Sequence, residues 1–282
     1  MKLKMKLMAA AIALTAASGA NAAMDNFASG NGTLAFIALD NVGTPMSVMM
    51  DLDFNVNSFL PGAMSAPGTT IQWNFNTNSL TVNGVAQAVS PTWSTAFGTF
   101  DAATEAAQTK WAVIGGDSLS AGVPGDLRYF TTSNTALATL QGQTKTNLAN
   151  MAGVSGLFTA NNLLQPNAID GSTATSGAAF VGATAYTTTG PAFKWGNRFV
   201  GDSFANEGVD AKFYMLDSNN GTSGTRALVT QYGNSIGAAT FAYDAGVLTY
   251  TAPIPEPETY ALLLAGLGML GFMARRRLNN RV

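Results

Sequence analysis

An all-β domain is predicted, a jelly-roll-like β-sandwich with one packed helix, and three observations predict it. Residues 51–57 read Asp-Leu-Asp-Phe-Asn-Val-Asn, a period of two that places one strand face on a core and the other in water. About ten short apolar runs are separated by Gly, Asn, Asp and Pro turns, the spacing of an all-β sandwich. Charged residues make up only 11% of the chain, so the long helix formers Glu, Lys and Arg are scarce while short polar residues suited to strands and turns abound.

Taken in order, residues 32–40 and 46–59 flank Asn41-Val42-Gly43 and read as a hairpin that Pro61-Gly62 ends. The alternation returns at 71–76, turns at Asn78-Ser79 and comes back through 80–89. Residues 93–107 read as a short helix or irregular linker with Asp101 as a candidate N-cap, and 111–115 as a short strand. Leu137, Leu140, Leu148 and Met151 fall at helical spacing within 135–151, the best helix candidate, placed as a side helix on the sheet. Residues 159–190 are rich in small residues and read as loop with weak strands. Strands are expected again at 193–200, 212–216, 227–232, 238–243 and 247–251, with turns at Asn220-Gly221 and Asp244-Ala245-Gly246.

Both ends differ from this middle. Lys2, Lys4 and Lys6 precede an apolar run over 7–17, and Ala20-Asn21-Ala22 supplies the small-x-small pattern of leader-peptidase cleavage, so 1–22 is expected to be a signal peptide. At the other end Pro255-Glu256-Pro257 forms a non-helical hinge, because proline fixes φ, lacks an N–H and keeps its predecessor out of the α region. Residues 259–274 follow without a charge and stop at Arg275, Arg276 and Arg277. At about 1.5 Å per residue they make roughly 24 Å of helix, a short transmembrane span. The arginines are expected to stop transfer and stay cytoplasmic, which puts everything before residue 253 outside.

The tripeptide, the short apolar helix and the terminal Arg run resemble the PEP-CTERM sorting signal of Gram-negative bacteria. That resemblance covers residues 253–282 and implies an exosortase that recognises the tripeptide, removes the helix and basic tail, and releases or transfers the mature protein. The order of hairpin, central helix and closing hairpins also resembles a group of PEP-CTERM cargo proteins from floc-forming and methylotrophic proteobacteria. The domain organisation expected is signal peptide 1–22, β-sandwich ectodomain 23–252 and sorting signal 253–282.

With the ends set apart, the charge changes character. Of 14 Lys and Arg, three lie in the leader and four in the tail, leaving seven; of 16 Asp and Glu, Glu256 and Glu258 lie in the tail, leaving 14 and a net charge of −7. An acidic middle disfavours nucleic acid, whose binding rests on Lys and Arg at phosphates. Cys is absent, so an exported domain must stand on its core without disulfide staples.

Without His or Cys the chain cannot build a Ser-His-Asp triad, a Cys-His pair or a nitrogen and sulfur metal site, and no G-x-x-x-x-G-K phosphate-binding motif occurs. No cofactor is expected. What remains is oxygen chemistry: paired carboxylates for glycoside hydrolysis, or Ca2+. Asp51 and Asp53 lie about 7 Å apart on one expected strand face, whose plain reading is a solvated row continued by Asn55 and Asn57. Their spacing mimics the start of an EF-hand loop, but Val56 and Gly62 stand where Gly and Glu are required. Asp202, Asn206, Glu207 and Asp210 form a second acidic group, whose plain reading is a surface turn; Asp202 and Glu207 are its Ca2+ candidates. Trp73, Trp93, Trp111 and Trp195 either stack on sugars or fill the core.

The expected function is a non-catalytic, exported surface or matrix protein. Its partners would be leader peptidase, the inner membrane in transit and, as the resemblance implies, exosortase and extracellular polysaccharide in a biofilm or floc. The alternatives are a carbohydrate-binding module and a secreted glycan-active enzyme with paired carboxylates.

Overall fold

The computed structural model describes residues 23–88, 92–119, 126–164, 170–182, 187–188, 194–195, 203–219, 224–254 and 265–270. In chain order the strands are β1 (Thr33–Asp40), β2 (Met46–Asn55), β3 (Thr70–Asn74), β4 (Ser79–Val82), β5 (Val85–Ala86), β6 (Lys110–Ser118), β7 (Leu127–Ser133), β8 (Gly171–Ala174), β9 (Thr187–Thr188), β10 (Lys194–Trp195), β11 (Ala205–Asn206), β12 (Ala211–Asp217), β13 (Leu228–Gln231), β14 (Gly233–Asn234), β15 (Gly237–Ala238), β16 (Thr240–Asp244) and β17 (Val247–Thr251). The α-helices are α1 (Pro61–Met64), α2 (Trp93–Asp101), α3 (Leu137–Gln141), α4 (Lys145–Met151) and α5 (Ser155–Asn162).

The hydrogen-bonded order β5-β4-β3-β17-β16-β12-β7-β6-β1-β2-β8 is one unbroken path, with β11 added on β6 and β13 on β12. Every pairing along it is antiparallel. Among the described residues the expected sandwich is therefore corrected to one large curled sheet, a half-barrel, with β9–β10 and β14–β15 as separate two-stranded ribbons. The corner is at β12, which pairs β7 along Lys212 to Asp217 but is shared on its other side, with β16 at Ala211 and Lys212 and β13 from Tyr214 to Asp217.

The curl brings distant strands face to face. Phe36 of β1 lies 4.8 Å, ring to ring, from Tyr243 of β16 and 5.0 Å from Phe75 just after β3. Phe54 of β2 lies 5.7 Å from Trp73 of β3. Phe59 sits at the centre, its ring 5.2 to 6.0 Å from those of Phe54, Phe213, Tyr232, Phe241 and Tyr250. Edge and tilted contacts of this kind add to the apolar burial that dominates folding. With no disulfide, this aromatic interior carries the stability.

Both faces of the middle strands are covered. β1 is buried at all eight positions, the pattern of a strand packed on two sides. On the outer face Ala35, Ile37, Met49, Ala112, Ile114 and Tyr214 pack with Leu140, Leu148, Met151, Leu157 and Phe158 from α3, α4 and α5. The single helix expected over 135–151 is divided in two, because Lys145 N–H donates to the Thr225 carbonyl and Ala227 N–H to that of Gln143 between the pieces. Leu140, Leu148 and Met151 are buried as their spacing predicts, and Leu137 is exposed. Helix α5 falls partly in the stretch read as loop.

The two ends of the sheet path do not meet, and α2 lies between them. Its start is tied to the β8 and β2 side through the Trp93 indole N–H, which donates to the Asp51 carbonyl at 2.6 Å. Its other side is tied to the β3–β4 turn, where Asn78 exchanges bonds with Ser94 N–H and hydroxyl at 2.7 and 2.9 Å. Trp93, Phe97 and Phe100 project into the core. Thr92 is the N-cap residue and Asp101 the last helical residue, so the expectation of Asp101 as N-cap is reversed.

Candidate functional site

The acidic residues singled out on β2 meet where that strand and α2 join. Opposite β1 the register shifts between Leu34 and Ala35, pairing Phe54 with Leu34 but Asp51 with Ala35. The extra residues of this bulge hold Asp53 at φ 57°, a left-handed conformation that Asp tolerates better than branched or bulky residues. Asp51 Oδ1 accepts the Asp53 N–H at 2.8 Å, closing a local turn. The core face is as expected, with Leu52, Phe54 and Val56 buried. The opposite row is not simply solvated: Asp51 and Asp53 are both partly buried beside α2 and residue 170.

Asp170, just before β8, organises this join. Its carbonyl accepts the Asp51 N–H at 2.9 Å. Its Oδ2 accepts the N–H and hydroxyl of Thr92 at 2.6 and 3.2 Å, and its own N–H donates to Thr92 Oγ1 at 3.0 Å. Edge strand, bulge and helix start are thus tied through one residue, by its carbonyl to Asp51 and its carboxylate to Thr92.

The site favours protons. Burial, reinforced by the Asp170 charge, pushes the Asp53 carboxyl up to about 7, and its Oδ2 is buried without a hydrogen-bond partner. Asp51 is pushed well above the usual carboxylate range by burial first, then by the Asp53 charge, with the Asp53 N–H bond opposing and Asp170 and Asp25 adding smaller repulsions. Like charges brought together in a low-dielectric site favour the neutral acid. Asp53 can therefore hold a proton near neutrality, and Asp51 and Asp53 act on the fold at this join. Among the described residues no group of three or more acidic side chains is arranged to hold a metal ion.

Of the second acidic group, Asn206, Glu207 and Asp210 lie among the described residues. Asp202 lies outside the described residues. Asn206 accepts from Lys110 Nζ through its side chain and from the Trp111 indole through its carbonyl, the latter at 2.8 Å. Glu207 Oε1 accepts the Ala245 N–H at 2.8 Å and faces Asp244 and Asp101. Burial leads the rise in its pKa, opposed by the Ala245 bond and assisted by those two charges. Asp210 is exposed. Trp73, Trp93 and Trp111 are fully buried, which removes them as sugar-stacking platforms; the side chain of Trp195 lies outside the described residues.

Ala20 and Ala22, Pro255, Glu256 and Pro257, and Arg275, Arg276 and Arg277 also lie outside the described residues. Their approach is described: β17 carries the chain to Thr251, and Ala252 N–H donates to the Thr69 carbonyl at 2.8 Å. Pro253 O then accepts from Asn234 Nδ2 at 2.9 Å. Within the expected span, residues 265–270 are helical, with Leu267, Met269 and Leu270 each more than half exposed. Among the described residues no helix is long and apolar enough to cross a membrane.

Sequence reasoning missed Asp170 and Asn234. Each stands alone in a polar stretch and gains its role only when sheet edges and loops come together.

Comparison with known families places a PEP-CTERM protein-sorting motif at residues 253–277. The motif implies an exported protein sorted by exosortase to the cell envelope or surface. No curated protein and no solved structure matches the chain.

Proposed function

We propose that this chain is a non-catalytic cargo of the exosortase system, delivered to the cell surface or matrix, where it associates with extracellular polysaccharide. The carrying observation is the sorting motif at 253–277, beginning directly where a β-rich domain with an aromatic interior ends. The leader at 1–22 starts export, and residues 259–274 hold the chain in the inner membrane until the tail is removed. The exposure of Leu267, Met269 and Leu270 supports this role, because an apolar helix left out of the core needs another apolar surrounding.

A non-catalytic role is supported by the structural ties made by two carboxylates at this join: Asp51 closes a turn and Asp170 anchors α2. Polysaccharide association is what the resemblance to PEP-CTERM cargo proteins implies. Its test compares wild-type and deletion strains for cohesion of the floc or biofilm, and the purified domain for retention on the host's exopolysaccharide. Retention together with weakened cohesion is expected. Absence of both contradicts the matrix role while leaving the sorting motif in place.

A further inference from the structure

The hairpin β14–β15 has no part in the aromatic interior, yet it holds the chain just where the sorting segment begins. Asn234 Nδ2 donates to Pro253 O at 2.9 Å and to Ser65 O at 3.2 Å, and Asn234 Oδ1 accepts the Ile236 N–H at 3.0 Å. Gly233 N–H donates to Ser65 Oγ at 3.2 Å, fastening the hairpin to the loop after α1. The Pro253 ring lies against Gly237, and the Ile254 methyl Cγ2 lies over Gly68, where an added Cβ would meet it at 2.9 Å. Upstream, Thr251 is paired with both Thr70 and Thr240, and Ala252 is fully buried.

We propose that this hairpin is a tail clamp, with Asn234 as the positioning residue that restricts protease access to the upstream flank of the sorting segment. The proposal rests on the reading that the tail is processed. A protease that binds an extended segment on the amino side of its scissile bond meets, before Pro255, one residue past the clamp and then a paired strand. Pro253 is also the first residue of the matched motif. Clamp and motif therefore share a residue, and cutting close to the tripeptide requires Pro253 to leave Asn234.

The test uses the full chain in detergent and a glutamate-specific endoprotease, whose site at Glu258 lies five residues beyond Pro253, while Glu105 and Glu207 lie within the fold. Asn234→Asp removes the donor to Pro253 but keeps an acceptor for Ile236, and Asn234→Ala removes both. Loss of the hydrogen bond to Pro253, with that to Ser65 lost beside it, is expected to speed cleavage at Glu258 by about fivefold in both variants, with cleavage at Glu105 and Glu207 unchanged. An unchanged rate at Glu258, or equal acceleration at all three sites, overturns the clamp. In the exosortase-bearing host, pulse-chase should show the same variants processed faster than wild type, and equal or slower processing contradicts a restricting role there. If wild type and variants alike show no exosortase-dependent cut while Glu258 still responds to Asn234, the sorting reading fails and the clamp stands.

Discussion

The indole N–H of Trp93 donates to the carbonyl oxygen of Asp51 at 2.6 Å, and this bond fastens the helix that occupies the open seam of the curled sheet. Trp93 is fully buried, its ring 5.5 Å from that of Phe75 on the opposite side of the seam. Trp93→Phe keeps most of the ring and removes the donor, leaving a carbonyl short of a partner. It is expected to lower the unfolding free energy by about 1–3 kcal/mol, and Trp93→Ala by about 3–5 kcal/mol. Urea unfolding checks both; a Trp93→Phe midpoint equal to wild type removes the bond from the account.

Asp53 makes stability depend on pH. Its folded-state carboxyl stands at about 7, above the value of about 3.9 for an unfolded aspartate. The native state thus binds the proton more tightly, and its contribution is full below pH ~4 and lost as pH rises through about 7. Asp53→Asn, which keeps the shape and suits the left-handed backbone, is expected to stabilise the domain by on the order of 2 kcal/mol at pH 8 and by little at pH 4. Thermal melts of both proteins across this range test it. An equal effect at both pH values contradicts the assignment.

Gly116 marks a close approach on the outer face. A Cβ there would lie 2.5 Å from the Phe27 ring, which packs against Tyr129 and Phe158. Gly116→Ala must displace that ring, and a cost of about 1–3 kcal/mol follows. The measurement is again urea unfolding. A wild-type midpoint would mean that Phe27 moves freely.

The strand order in sequence was legible where neighbours pair with neighbours. The hairpins β1–β2, β3–β4 and β16–β17 follow from alternation and turn residues, because their partners are local. β7 was not read: Arg128 interrupts its apolar run, and gains its place only opposite Asp117 on β6, where the two side chains bond at 2.6 Å. The curl was hidden for the same reason, since the contact of Phe36 with Tyr243 joins residues remote in sequence. At the candidate site Asp51 and Asp53 were legible as a pair. The bulge that turns Asp53 left-handed depends on the register of β1, and Asp170 is brought in by an edge strand with no periodic signature. The sorting signal was the most legible feature, because a hinge, an apolar run and an Arg cluster act in linear order.

Intact mass of the protein recovered from envelope and medium, with and without the exosortase, reads out whether the sorting tail is removed at a site set by the tripeptide. A species that begins at Ala23 or Met24 and ends near Pro255 to Pro257 is expected only when the enzyme is present. A species that retains Arg275 to Val282 in both strains would contradict it and make the tail a permanent anchor.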